Sequence, residues 1–493
     1  MDALPVTRRP TIRFRPDPTR VITKPFLPRE EIYPDGRSRM QIVLDRSLAM
    51  SEDEVVATFG TAHDSFIGRH RHLETTLERN FEVVAARLDH LDLLDHTPSR
   101  ERRLLIGAYF THEYSIEAAA LGNPSMVAAP DQSGLGSGEV RFVMSLRAIG
   151  EGHLSSIEFR TGVVNADMAI TLDTPSGFAA TGTRAPHAYD KAFFTTKLWD
   201  LGMLNDAEHR VLAGLDDRFT MAELEASIHT VSGQGRDRIV SNETRDTLHW
   251  LASSNYRVAF PESSEISERV LFPSGPTESH GMEDARFVRF VDDGVVTYYA
   301  TYTAFNGHQI LPQLLETSDF RSFRVATLTG QAAHNKGIAL FPRKIGGEFV
   351  ALGRHDNVNN FVMTSPDVRV WRQNKIIQEP ERPWELMQLG NCGSPLETEA
   401  GWLVITHGVG PFRRYSLGAL LLDLDDPSRV IGHLKQPLLA PEADEREGYV
   451  PNVVYSCGSM LHEDHLVLPY GFADVGASIA TVSLPALLDR LRS

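Results

Sequence analysis

Apolar residues change their period along this chain. Between about residues 51 and 121 they recur at helical spacing, as in HLETTLERNFEVVAARLDHLDLL and RERRLLIGAYFTHEYSIEAAAL, which predicts helices. SEDEVVATF opens one of them, with Ser51 placed as an N-cap and acids in the first turn, where the helix dipole favours them. Residues 1–40 are rich in Pro and Arg and predict extended chain. Helical spacing returns between about 187 and 255, in FTMAELEASI and ETRDTLHWLA.

From 285 onward the pattern becomes that of strands. A unit recurs: an apolar strand, a tight turn, a second apolar strand and a weaker third. The first turns fall at Asp293-Gly294, Gly346-Gly347, Ala400-Gly401 and Glu463-Asp464. Their spacing of roughly 50–60 residues is that of a repeated β-sheet module. Asp-Gly and Gly-Gly suit hairpin turns because they accept positive φ. A fifth unit, GEVRFVMSLRAIGEGHLSSIEFRTG, lies at 138–162, ahead of the helical insertion. Five such sheets predict an all-β five-bladed β-propeller with an added α-helical N-terminal module and a helical insertion. The expected domains are 1–105, an extended segment and helical module, and 106–485, the propeller, with the insertion at about 187–255. A parallel α/β sheet is the alternative, disfavoured because helices do not alternate with strands after 285.

Composition narrows the function classes. A chain of 493 residues with 42% hydrophobic and 23% charged residues suits a soluble globular protein with a large core. A net charge of −16 argues against nucleic acid or an anionic membrane as partner, while a local cationic pocket stays compatible with it. The two cysteines, Cys392 and Cys457, form no C-x-x-C pair, so neither a disulfide framework nor structural zinc is expected. No apolar run reaches the length of a membrane span, and Arg8-Arg9 lacks the apolar segment of a twin-arginine leader. A cytoplasmic protein is the expectation. GLGSGE at 134–139 reads as a turn, not a dinucleotide loop. His63, His70 and His72 read as a solvated helix face, and no metal site is expected.

Candidate chemistry follows from the repeat. Equivalent strand ends converge in a propeller, so polar residues distant in sequence are predicted to meet on one rim. The second strands carry Tyr302, Arg354, His407 and Tyr470, six to eight residues past each turn. Asp284 and Lys336 occupy the facing ends of the first strands, Arg147 takes the position of the earliest unit, and Asp474 lies just past Tyr470. Asp284 could donate a proton to a leaving oxygen if its pKa were raised. Lys336, Arg354 and His407 could hold an anion such as phosphate. Glu283, beside Asp284, is expected on the opposite strand face. Glu283 and Tyr302 are counted with the substrate-binding residues.

These stretches have a family likeness. GMEDARF resembles the G-x-E-D-P-R-I motif of glycoside hydrolase family 130, with Ala285 in place of proline. KGIALFPRKIGGEFVALGR, SPLETEAGWLVITHGV, YSLGALLLDLDDPSRVIGH, YVPNVVYSCG and YGFADVGASIA are similar to its later blocks, in order, over about residues 120–485. The resemblance implies a five-bladed propeller that cleaves β-mannosides with inversion. It implies Asp284 as general acid, its proton passing through a hydroxyl of the bound mannose. Inorganic phosphate, held by Lys336, Arg354 and His407, would give α-mannose 1-phosphate. Asn123 and Asp474, with Arg147 as a weaker match, align with sugar contacts. No cofactor or metal beyond phosphate is implied. Phosphate needs cations and no catalytic base, whereas an inverting hydrolase needs a second carboxylate. Two departures stand out: Lys336 where arginine is frequent, and Gln388 where a lysine is common. A β-mannosidase using water and a non-catalytic glycan-binding propeller remain the alternatives. The first hundred residues and the insertion are open to two roles, closing over the site or building a homo-oligomer interface.

Overall fold

The computed structural model describes residues 6–28, 32–87, 98–233 and 241–493. It separates into two compact units. The smaller comprises Asp17–Ala118 with Ser176–Ala180. Its helices are Arg39–Ala49, Glu52–Phe66, Leu73–Arg87 and Arg100–Tyr109. Ser51 caps the second through a reciprocal pair with Glu54, as its sequence predicts. The helix predicted through 72–94 is seen as Leu73–Arg87, and 88–94 lie outside the described residues. The predicted helical run to 121 instead ends at Tyr109. Thr111–Ser115 is a strand, because Val21–Pro25 offers it an antiparallel partner. The three histidines are also not a uniformly solvated face: His70 is buried and bonds Glu113 at 2.8 Å.

The main strands of the larger unit fall into five antiparallel groups, the first two joined in one continuous sheet. The first contains Ala120–Ala128, Val140–Ile149, Ser155–Val164 and Ile170–Leu172. The second runs through Gly281–Asp292, Val295–Phe305, Ile310–Thr317 and Ser322–Thr327, and adds Tyr256–Ala259 and Thr183–Ala185. A single parallel pairing, Gly281 with Ser155, connects these two sheets. The third has Ala339–Leu340, Phe349–Gly353, Asn360–Ser365 and Gln373–Gln378. The fourth has Gln388–Asn391, Gly401–Val409, Tyr415–Leu422 and Val430–His433. The fifth has Val454–Tyr455, His465–Phe472 and Gly476–Ser483. Residues read as part of the N-terminal module also belong here: Val6–Arg8 pairs with Val482, Thr481 and Ala480 as an edge strand of the fifth sheet. Each of the four turns singled out in the sequence joins paired strands or a bridged pair.

The cores explain the order of the sheets. A strand with apolar residues on both faces needs cover on both. Val143 and Phe159 of the first sheet pack with Phe287 and Tyr298 of the second. Val288 and Leu314 pack with Ala351 and Trp371 of the third. Val350 and Phe341 pack with Trp402 and Leu420 of the fourth. Leu403 and Leu421 pack with Leu468 and Val482 of the fifth. Met144 and Leu146 of the first pack with Val467 and Ile479 of the fifth, so the sequence of shared cores returns to its start. The insertion forms Lys191–Asp200, Asp206–Ala213, Met221–Gly233 and Asn242–Ser253 around its own core of Leu198, Leu212, Leu224 and Leu248.

Three buried glutamates stiffen the chain where it enters a sheet. Glu278 accepts from the Ser274 and Gly275 backbone N–H groups at 2.9 Å and from Tyr302 OH at 2.6 Å. Glu445 accepts from the Glu442 N–H and, at 2.6 Å, from Tyr470 OH. Glu385 accepts from the N–H groups of Glu381 and Arg382. Each carboxylate replaces the water that loop N–H groups would otherwise need.

Close packing between the fourth and fifth sheets gives a test. Gly393 has φ +108, and a Cβ there would stand 2.3 Å from the Cys457 carbonyl oxygen. Gly393→Ala adds about 1–2 kcal/mol of left-handed strain to a backbone clash. Its melting temperature, followed by circular dichroism, is expected several degrees below the parent's.

Candidate active site

Asp284 lies near the start of the strand Gly281–Asp292, at a register shift between Glu283 and Arg286. Its φ is +56. Asn123 lies at a similar shift in the first sheet, between Gly122 and Ser125, with φ +49. Asn and Asp tolerate this region better than other side chains with a Cβ. The two bulges aim the residues at each other: Asn123 Nδ2 donates to Asp284 Oδ1 at 2.6 Å.

The bulge also overturns the expected separation of the acids. An uninterrupted strand would send Glu283 and Asp284 to opposite faces. Instead one guanidinium meets both, Arg147 standing 2.8 Å from Glu283 Oε1 and 3.8 Å from Asp284 Oδ1. Lys336 Nζ bonds the other Glu283 oxygen at 2.9 Å. Glu283 is therefore clamped by two cations. Its side chain is 13% exposed and that of Asp284 16%, so these charges interact in a partly dried environment.

Burial works to raise the Asp284 pKa. Arg147, Lys336, the Asn123 hydrogen bond and Arg286 outweigh it, and the carboxyl falls below its ordinary value. The raised pKa looked for in a proton donor is thus absent from the unliganded protein. Asp474, with φ +49, behaves in the opposite way: burial raises its pKa despite the pull of Arg147, and the charges on Asp284 and Glu283 add to the rise.

Arg354 and His407 meet at Gly390, and Arg286 acts on both His407 and Asp284. A Cβ on Gly390 would lie 2.5 Å from Arg354 Nε and 2.6 Å from His407 Cε1. Both Arg354 Nε and His407 Nε2 are buried without a hydrogen-bond partner among the described residues, as is Arg147 Nε. His407 is not the cation its sequence position suggested. Burial, with Arg354 and Arg286 beside it, holds its pKa well below the usual range and keeps the ring neutral. A neutral imidazole still offers one N–H.

Arg286 is the residue that sequence reasoning passed over. It is buried, donates to Asn391 Oδ1 at 2.9 Å and to Tyr455 OH at 2.7 Å, and its pKa is raised. The arginine two residues after the acid in GMEDARF was the available signal. Tyr302 does not join the site. Its hydroxyl is spent on buried Glu278, and its ring belongs to the core between the first two sheets. Asn123, Arg147, Glu283, Asp284 and Lys336 are joined by direct contacts, Arg354 and His407 pair at Gly390, and Asp474 lies within their field.

Comparison with known proteins fits this arrangement. Residues 251–493 match the family profile described as β-1,4-mannooligosaccharide phosphorylase, glycoside hydrolase family 130. A 1,2-β-oligomannan phosphorylase of Thermoanaerobacter sp. (strain X514) is 36% identical over 223 residues, 44% of this chain and 74% of the relative. The chain belongs to glycoside hydrolase family 130. A β-1,2-mannobiose phosphorylase of the same organism is 37% identical over 217 residues, 43% of this chain and 70% of the relative. The β-1,2-mannobiose phosphorylase of Listeria innocua is 31% identical over 228 residues, spanning 45% of this chain and 63% of that protein. The solved structure of a Listeria innocua β-1,2-mannobiose phosphorylase overlays with a TM-score of 0.44 at 23% identity, covering 76% of this chain and 92% of that one. This family member has no helix, among its described residues, long and apolar enough to cross a membrane.

Two measurements check the site. Tyr302→Phe removes a donor from a buried carboxylate and is expected to cost about 1–3 kcal/mol in urea unfolding while leaving substrate binding unchanged. The lowered pKa of Asp284 implies stability that is fully present above its unfolded value of about 4 and is lost as pH falls through the folded value. Asp284→Asn should therefore unfold more easily than the parent at pH 7. The difference should shrink as the pH falls below the unfolded value and through the lowered folded one.

Proposed function

We propose that this protein cleaves a β-mannosidic bond by phosphorolysis with inversion, releasing α-mannose 1-phosphate. The carrying observation is one acid, Asp284, among Arg147, Lys336 and Arg286, with its neighbouring carboxylate Glu283 already tied by two cations. A carboxylate so engaged is poorly suited to activate water, whereas phosphate arrives as a nucleophile and needs positive charge to approach. The relatives named as β-mannoside phosphorylases support the same reading.

In this scheme mannose binds against Asn123, Arg147 and Asp474. Phosphate takes Lys336, Arg354 and the His407 N–H, using the buried nitrogens that lack partners. Binding a dianion there offsets the cations that depress the Asp284 pKa. The acid is thereby shifted towards its protonated form when phosphate is present, and its proton passes through a mannose hydroxyl to the leaving oxygen. Phosphate is the co-substrate, and neither metal nor cofactor takes part. The five sheets whose cores follow one another back to the first support a five-bladed propeller as the catalytic domain, spanning about 106–485 with the insertion at 187–255. A cytoplasmic site of action belongs to the same proposal. Hydrolysis is the second reading, favoured by Asp474, a nearby carboxyl with a raised pKa that could serve as base.

The test incubates β-1,2- and β-1,4-mannobiose with the protein, with and without phosphate. Mannose 1-phosphate formation that requires phosphate is expected, with a loss of about 10²–10⁴-fold in Asp284→Asn. Equal release of free mannose in both conditions would replace phosphorolysis by hydrolysis.

A further inference from the structure

A second charged cleft lies on the second sheet, far from Asp284. Thr297 lines it, while Glu283 pairs with Thr303 six residues further along the same strand. At about 3.4 Å per residue the two places stand roughly 20 Å apart. The cleft has a volume of about 530 Å³, and its charged lining is His187, Arg218, Arg257, Glu316 and Arg324.

Its charges are unbalanced. Arg257 and Arg324 stand directly opposite each other on adjacent antiparallel strands, an arrangement in which like charges repel. Glu316, across from Arg324 on its other side, reaches it only at 3.7 Å. Arg218 and Arg257 have no carboxylate partner among the described residues. Arg324 Nε is buried and without a hydrogen-bond partner there. His187 adds no charge: burial, then Arg324, Arg257 and Arg218, push its pKa down to about 4. A chain of net charge −16 thus gathers three arginines around one acid. Guanidinium groups converging on one opening favour an anion there.

We propose that this cleft binds a phosphorylated sugar at a site separate from the Asp284 centre. Guanidinium groups match the planar, paired acceptors of a phosphate. The rest of the wall includes Thr297, Ser318 and Ser322, whose hydroxyls are partners for a sugar, while those of Thr220 and Thr317 are engaged by Glu223 and Asp319. Among the described residues no Phe, Tyr or Trp lines it, so these offer no stacking platform for a nucleobase. Its size lies within the range of small-molecule sites. Arg218 comes from the helical insertion, Arg257 from the strand that leaves it, and Arg324 from the sheet that holds Asp284. The insertion thereby gains a ligand-binding role.

The experiment is calorimetric titration of the full chain with mannose 6-phosphate, glucose 6-phosphate and inorganic phosphate. Arg257→Ala is expected to weaken at least one hexose phosphate by about tenfold, the loss of a charge-assisted contact. Arg354→Ala, at the Asp284 centre, is expected to leave that binding within about twofold. The two sites share no residue, so failure here leaves the phosphorolysis assay untouched. Loss in Arg354→Ala instead of Arg257→Ala, or no hexose phosphate binding, overturns the proposal. Equal affinity for inorganic phosphate also overturns it and leaves an adventitious ion only. Relief of repulsion predicts that ligand-free Arg257→Ala melts at or above the parent temperature in low salt. A clear drop removes the electrostatic ground for the site.

Discussion

The constraint on which the structure depends is that every sheet of the larger unit is apolar on both faces. Val350 and Leu352 of the third sheet look towards Trp402, while Ala351 between them looks towards Trp371 and the second sheet. Such a sheet cannot rest on solvent at either side. Each finds cover only in its two neighbours, and the cover of the first is completed by the fifth. This demand brings the strand ends together. Residues as distant in sequence as Asn123 and Asp284, or Arg147, Glu283 and Lys336, come into contact under that demand.

The polar group at the meeting point inherits that crowding. Strain is stored there in Asn123, Asp284 and Asp474, three side chains at positive φ. The strain is held by packing that involves none of them, such as Phe287 N–H on Ser125 Oγ and Cys457 N–H on the Pro124 carbonyl. Charge is arranged with similar economy. Glu283 keeps Arg147 and Lys336 apart and in place, so the cations need not be ordered when an anion arrives.

Much of this was legible in the chain, for reasons that can be named. Hairpin turns such as Asp293-Gly294 announce themselves because only certain residues accept their dihedrals, and alternation then marks the strands. The repeat led to Lys336, which lies in the field of Asp284, and to Arg354 and His407, which meet at Gly390. It placed Tyr302 wrongly because an offset of six to eight residues from a turn mixes both strand faces, and one residue of slip reverses a side chain. The bulge at Asp284 was invisible for a related reason. No residue type demands a bulge, so the shared guanidinium of Glu283 and Asp284 could not be foreseen. His407 was read as charged because a sequence does not state how dry a side chain will be. Thr111–Ser115 was read as helix because its strand partner, Val21–Pro25, lies some ninety residues earlier.

The pairing of Val6–Arg8 with Gly476–Ser483 has a consequence for biosynthesis. Val6–Arg8 is synthesised well before the strand it pairs with, and its backbone stays unsatisfied over that interval. Until then Met144 and Leu146 lack the apolar neighbours Val467 and Ile479. Over that interval nascent chains carry an open sheet edge and a bare apolar face, the kind of exposure that chaperones recognise.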